Sequence, residues 1–246
     1  MSPYTKNKEN HPVSPSFICN ILYFSPAIIS IFIIIILEMK NQKLYDFLPS
    51  GNSYKIRLLL TQMGMPFERI DVNILKGETR TPEFLSKNPN GKIPVLEVNT
   101  GQYLAESNAI LVYLSEGTEF LPYDRFLRAK VLQWLFFEQY SHEPFIATSR
   151  FWISILGKAE EYRTAIEQKH EPGYAALRVM EHHLMTHEFF VSERYTIADI
   201  ALFAYTHVAD EGGFDLTKFP AIQAWIERVK SQPRYIKITQ DKNFAE

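Results

Sequence analysis

Asn88-Pro-Asn-Gly-Lys-Ile-Pro-Val-Leu96, followed by Glu106-Ser-Asn-Ala-Ile110, decides the fold of this chain. Pro94 stands among apolar residues just before a short run, Val95 to Val98, that reads as a strand. A proline there removes one ladder donor, and it can hold a cis bond that turns the preceding backbone outward. The N–H and C=O of that backbone can then pair with a short peptide by strand addition. Glu106 and Ser107 stand where a helix begins. Its free N–H groups and the Ser107 hydroxyl suit a carboxylate, and Glu106 suits an ammonium. A ligand with an amide backbone and an α-amino-acid end satisfies both features.

Working outward, Lys43–Phe47 reads as a strand, broken by Pro49-Ser-Gly-Asn52. A helix follows, with Ile56, Leu59, Leu60 and Met63 on one stripe and Gly64 as its stop. Residues 67–73 read as a second strand, and 76–87 as a loop with a short helix whose first turn takes Pro82. Residues 95–98 and 102–105 form a hairpin around Asn99-Thr-Gly101. A helix over 106–116 is expected to carry Ile110, Tyr113 and Leu114 inward. Residues 117–124, with Pro122 and no periodicity, read as a linker.

From Arg125 onward the pattern is helical. Leu127, Val131, Trp134 and Leu135 make one apolar stripe, Ile197, Ile200, Ala201, Ala204 and Val208 a second, and Ile222, Trp225, Ile226 and Val229 a third. Thr196 with Asp199 reads as a capping box serving that helix start alone, and Gly212-Gly213 as its end.

The order of these landmarks over residues 39–246 resembles the soluble glutathione transferase superfamily. Lys43-Leu-Tyr-Asp-Phe47 matches its first strand, and Ser50-Gly-Asn-Ser-Tyr-Lys-Ile-Arg57 its active-site turn. Ile93-Pro-Val-Leu96 matches the cis-proline motif, Glu106-Ser107 the γ-glutamyl-binding pair, and Thr196-Ile-Ala-Asp199 the capping motif of its helical domain. The resemblance implies an α/β thioredoxin-like N-terminal domain (βαβαββα, a mixed four-stranded sheet) over 39–117. A linker, 118–124, and an all-α C-terminal domain, 125–246, follow.

The resemblance also implies an enzyme that binds glutathione as co-substrate and activates it as thiolate for conjugation to a small apolar electrophile. A free thiol titrates near pH 8.5, and a helix N-terminus with a hydrogen-bond donor lowers that value. Ser50 aligns with the serine of serine-type branches, and Asn52 with an asparagine of bacterial branches active as disulfide reductases. Tyr45 is a weaker donor candidate. Either Ser50 or Asn52 also suits a plain helix cap. Ile93, at the Pro94 bond, is expected to pair with the cysteinyl backbone and Glu106 with Ser107 to hold the γ-glutamyl end. Arg80 and Lys92 would meet the glycyl carboxylate. Tyr140, Phe145 and Arg150 are expected to line the electrophile site, in a helix rich in aromatics that would equally suit a core or an interface. Two other readings stand beside this one: a glutathione-dependent disulfide or peroxide reductase without a protein thiol, and a non-enzymatic binding or scaffold relative.

Composition narrows the field. A net charge of −2 leaves no basic footprint for nucleic acid. The one cysteine, Cys19, precedes the family match, which argues against a thiol nucleophile in the globular part. His183 and His187 lie one helical turn apart without a clear acidic partner, so a solvated helix face is expected there and no metal. A homodimer and a cytoplasmic location follow from the resemblance. Residues 1–38 are the exception. Phe17 to Leu37 carries no charge and is long enough for a membrane anchor. The extension also reads as a leader, or as sequence ahead of a natural start at Met39. The last reading is preferred, because the resembled fold is complete from there.

Overall fold

The computed structural model describes residues 42–240; the N-terminal extension, its apolar segment and Cys19 lie outside the described residues. β1 (Lys43–Asp46), β2 (Glu68–Asp71), β3 (Val95–Asn99) and β4 (Gln102–Ala105) form one sheet in the order β2-β1-β3-β4. β1 runs parallel to β2, with Leu44 opposite Arg69, and antiparallel to β3, with Leu44 opposite Leu96. A parallel pair needs a crossover, and α1 (Gly51–Met63) supplies it. β3 and β4 form the hairpin, whose register shifts between Glu97 and Asn99. α2 (Pro82–Lys87) and α3 (Ser107–Ser115) complete the expected βαβαββα thioredoxin-like order. Irregular turns over 117–124 then lead into a wholly helical remainder.

α1 is the hub of the core. Ser50 caps it, and Gly64, at φ 67°, closes it by donating its N–H to the carbonyls of Leu60 and Thr61. A glycine takes that left-handed conformation without a Cβ clash. Ten of the thirteen residues of α1 are buried, the polar Ser53, Lys55, Arg57 and Thr61 among them, so the helix is enclosed nearly all round rather than along one apolar stripe. It packs on α3 and on α7 (Ile197–Thr206), and its leucines share one core with Leu44 and Leu96 of the sheet. A smaller cluster, Val72, Phe84 and Val95, joins β3 to α2. The returning C-terminal segment locks α1 in place: Tyr54 Oη donates to the Ile236 carbonyl at 2.6 Å, and Arg57 to that of Ile238 at 3.0 Å.

The helical part comprises α4 (Arg125–Phe137), α5 (Glu143–Arg150), α6 (Arg163–Leu184), α7 and α8 (Pro220–Lys230). α4 continues into α5 through a widened π-helical turn at Glu138–His142, and a second such turn follows at Phe151–Ile155. Three expectations need correction. Tyr113 is 50 % exposed; the inward face of α3 is Ile110, Leu111 and Leu114, and Tyr113 lies round the helix from it. α7 ends at Thr206, and Gly213 caps a separate turn over Ala209–Gly212. The Thr196–Asp199 box is present, but Asp199 does more than cap. Its Oδ1 accepts from Trp225 Nε1 at 3.0 Å and from the Phe190 N–H at 3.2 Å, so it joins α7 to α8.

The π turn places two buried polar groups against the rest of the core. Glu138 meets Lys55 of α1 at 2.8 Å, both side chains fully buried. His142 Nε2 lies 2.9 Å from Thr206 Oγ1. Burial, with the Lys55 charge nearby, pushes the His142 imidazole down to about 3. The folded protein therefore holds it neutral. That stability is present above pH 6.5, the unfolded value, and is lost as pH falls toward the folded one.

Chemical denaturation checks both points. Lowering the pH from 7 to 5 should cost the wild-type protein about 2 kcal/mol more than it costs His142→Gln. Equal losses would show that His142 is protonated in the fold. Lys55→Met, which strands a buried carboxylate, should cost about 3–5 kcal/mol, and Lys55→Met with Glu138→Leu should recover most of it. A single variant as stable as the wild type would refute the role given to the pair.

Candidate functional site

The N-terminus of α1 opens onto a cleft of ≈ 560 Å³. Ser50, Gly51 and Asn52 line its floor. Arg80, Lys92 and Ile93 line it on the side of the loops before β3, and Glu143, Arg150 and Tyr205 line it from the helical part. Gly51 is required by packing, since a Cβ there would sit 2.5 Å from the Tyr205 ring. This contact brings the Tyr205 hydroxyl to the backbone N–H of Asn52, which donates to it at 3.2 Å. Burial first, then the carboxylates of Glu143 and Glu138, push the Tyr205 phenol well above its ordinary value, so it stays protonated.

Ser50 Oγ accepts from the Ser53 N–H at 3.3 Å, so the residue is an N-cap. A hydroxyl that accepts still has its own hydrogen to donate, and the cap and a thiolate-donor role are compatible. The side chain of Asn52 is held on both sides: Nδ2 donates to Glu143 Oε1 at 2.8 Å, and Oδ1 accepts from Ser107 Oγ at 3.2 Å. The Asn52 and Ser53 N–H groups are thus engaged, and the positive end of the helix dipole is what suits this end of α1 to an anion.

The Ile93–Pro94 bond is cis, and Ile93 lines the cleft beside Lys92. Asn88 fixes this loop by donating to the Lys92 carbonyl at 2.8 Å. An adjoining recess of ≈ 60 Å³ is lined by Pro94, Glu106, Ser107, Gln139 and Glu143, with Asn52 at the shared wall. Glu106 stands just before α3 in a left-handed conformation, φ 68°, uncommon for a residue with a side chain. Ser107 is buried, and its Oγ accepts from Lys55 Nζ at 3.3 Å. Burial raises the Glu138 carboxyl, opposed by the Lys55 ammonium and by Asn108, which donates at 3.0 Å.

Eight of the residues singled out from sequence therefore meet at one place: Ser50, Asn52, Arg80, Lys92, Ile93, Pro94, Glu106 and Ser107. Arg80 donates to the Asn90 carbonyl at 3.2 Å. Arg150 joins them but is committed to Glu211 at 2.7 Å and the Pro49 carbonyl at 2.7 Å, where it braces the active-site turn. Tyr140 is 84 % exposed, and Phe145 packs toward Gly173 and Lys169; neither lines the cleft. Tyr45 Oη is turned to Glu97 at 3.2 Å. His183 and His187 stack on each other at 4.3 Å, and among the described residues no group of three or more His, Cys, Asp or Glu could hold a metal. No helix among the described residues is long and apolar enough to cross a membrane.

Sequence reading missed Glu143, Gln139, Tyr205 and the Lys55–Glu138 pair. Nothing local separates Lys55 from the other polar residues of α1, Arg57 among them. Glu143 and Tyr205 come from distant segments, and nothing local marks them.

Comparison with known proteins bears on the same elements. Residues 40–116 match the glutathione S-transferase N-terminal domain, and residues 134–233 the glutathione S-transferase C-terminal domain. The disulfide-bond oxidoreductase YfcG of Escherichia coli is 32 % identical over 194 residues, which cover 76 % of this chain and 89 % of that protein. A glutathione S-transferase structure from Pseudomonas fluorescens Pf-5 superposes with a TM-score of 0.79 at 55 % identity, covering 81 % of this chain and 99 % of that one. A Burkholderia graminis glutathione transferase, solved with two glutathione molecules per subunit, superposes with a TM-score of 0.70 at 28 % identity, covering 79 % and 85 %. With both domains matched and the thioredoxin-like sheet followed by helices, this chain belongs to the glutathione S-transferase family.

Proposed function

We propose that the protein binds glutathione, holds it as the thiolate and transfers it to a small, apolar electrophile. One observation carries the reading: the α1 N-terminus, the cis Ile93–Pro94 edge and the Glu106–Ser107 helix start open onto one continuous site. Ile93 pairs with the cysteinyl backbone. Glu106 takes the γ-glutamyl ammonium, and the first N–H groups of α3 take its carboxylate. Arg80 and Lys92 face the glycyl carboxylate. This pose sets the sulfur at Ser50 and Asn52, whose hydrogens stabilise the thiolate as it attacks the electrophilic carbon and the leaving group departs.

Reduction of a mixed disulfide is the second reading, favoured by the similarity to YfcG and by a related structure that holds two glutathione molecules per subunit. It uses the same thiolate and needs room for the second glutathione in the ≈ 560 Å³ cleft. The assembly proposed is a homodimer, and Phe126 and Phe136, 67 % and 71 % exposed, are apolar surface available to it. Location in the cytoplasm is proposed on family grounds alone.

Retention on immobilised glutathione is expected, and Ser50→Ala and Asn52→Ala should each lower turnover about ten-fold or more while glutathione affinity changes little. Full activity in both variants would remove these residues from the chemistry. A panel of a chlorinated aromatic, an isothiocyanate and a mixed disulfide should show conjugation exceeding reduction; the reverse ranking selects the second reading. Sedimentation should give about twice the 28.6 kDa chain mass, and a monomer would overturn the dimer.

A further inference from the structure

We propose that Glu143 is a positioning residue that fixes the orientation of the Asn52 side chain and so presents the remaining amide hydrogen of Asn52 to the sulfur. The proposal rests on the role given to Asn52 above.

A primary amide has a donor end and an acceptor end that are nearly equal in shape, so its surroundings must choose which way it faces. Here the carboxylate of Glu143 makes the choice. Asn52 Nδ2 donates to Glu143 Oε1 at 2.8 Å, and an ionised carboxylate only accepts. Turning the amide over would set Oδ1 against that carboxylate, acceptor against acceptor. On the other side, Ser107 Oγ donates to Asn52 Oδ1 at 3.2 Å. That hydroxyl also accepts from Lys55 Nζ at 3.3 Å, and because a hydroxyl can accept twice it fits either orientation of the amide, which leaves the choice to Glu143.

The chain of bonds thus takes its direction from the Glu143 carboxylate. Glu138 holds Lys55 at 2.8 Å with Asn108 on its other oxygen at 3.0 Å. Gln139 holds Glu143 Oε2 at 2.9 Å. Asn52 keeps one amide hydrogen with no acceptor among the described residues, and it lines both the cleft and the adjoining recess. Glu143 is the first residue of α5, immediately after the π turn over Glu138–His142. The extra residue in that turn shifts the register of the helix that follows, which brings a carboxylate of the helical domain to a side chain of the thioredoxin-like domain. The sulfur donor is therefore oriented by the opposite domain.

The test compares wild type, Glu143→Ala, Glu143→Gln, Asn52→Ala and the Asn52→Ala/Glu143→Ala double variant in the full chain. The thiol of bound glutathione is titrated by thiolate absorbance, and kcat is followed separately from KM. Glu143→Ala should raise the bound thiol's pKa by about one unit and lower kcat about ten-fold, with KM for glutathione within about two-fold. Glu143→Gln, whose carbonyl can accept the same bond, should recover most of the loss. In the Asn52→Ala background Glu143→Ala should change neither quantity. An unchanged thiol titration in Glu143→Ala, or an equal loss in both backgrounds, would overturn the proposal. A ligand-free measurement separates it from the functional reading. The Asn52 side-chain amide proton bonded to Glu143 should resonate downfield in wild type and move upfield in Glu143→Ala. Failure to bind glutathione sinks the function but leaves this outcome to decide; unchanged amide signals sink the proposal alone.

Discussion

The buried ion pair between Lys55 and Glu138 organises the junction on which the cleft depends. Both side chains are withdrawn from water, at a desolvation cost that the 2.8 Å contact alone barely offsets. Hydrogen bonds to Ser107 and Asn108 add to it. What the pair adds is geometry. Its ammonium and carboxylate belong to α1 and to the π turn after α4, so the pair bridges the two domains. Ser107, Asn52 and Glu143 take their places relative to that fixed point.

The site divides its work between a rigid frame and a short turn. The cis Ile93–Pro94 edge and the left-handed Glu106 at the start of α3 present backbone groups whose positions are set by the sheet. They suit recognition of a peptide-like ligand and carry no preference among its reactions. The turn Ser50-Gly-Asn52 supplies the hydrogens nearest the proposed sulfur, and it is braced from the helical domain by Tyr205, Arg150 and Glu143. Chemistry at this end of α1 therefore depends on side chains more than ninety positions away in sequence.

Local signals made much of this legible. Alternation and turn residues marked the four strands, Gly64 marked the end of α1, and Thr196 with Asp199 marked the start of α7. The signals failed where a residue's partner was remote. Tyr113 shares an apolar helix with Leu114 but lies on its solvent side, because only the packed neighbours of α3 decide which face is inward. The aromatic set after α4 looked like a pocket, yet the π turn rotates Tyr140 into solvent and leaves Phe145 against α6.

The sequence by itself determined the order of elements, the helix caps, the proline edge and the acidic–serine helix start, since each depends on a residue's own backbone preference or on neighbours within a few positions. Only the tertiary structure decided that Lys55 is paired, that Gly51 is pressed against Tyr205, and that the Asn52 amide is held between Ser107 and Glu143. Those outcomes arise from packing α1 between a sheet and a helical domain. The direction of a hydrogen bond there depends on which charges the fold brings within reach.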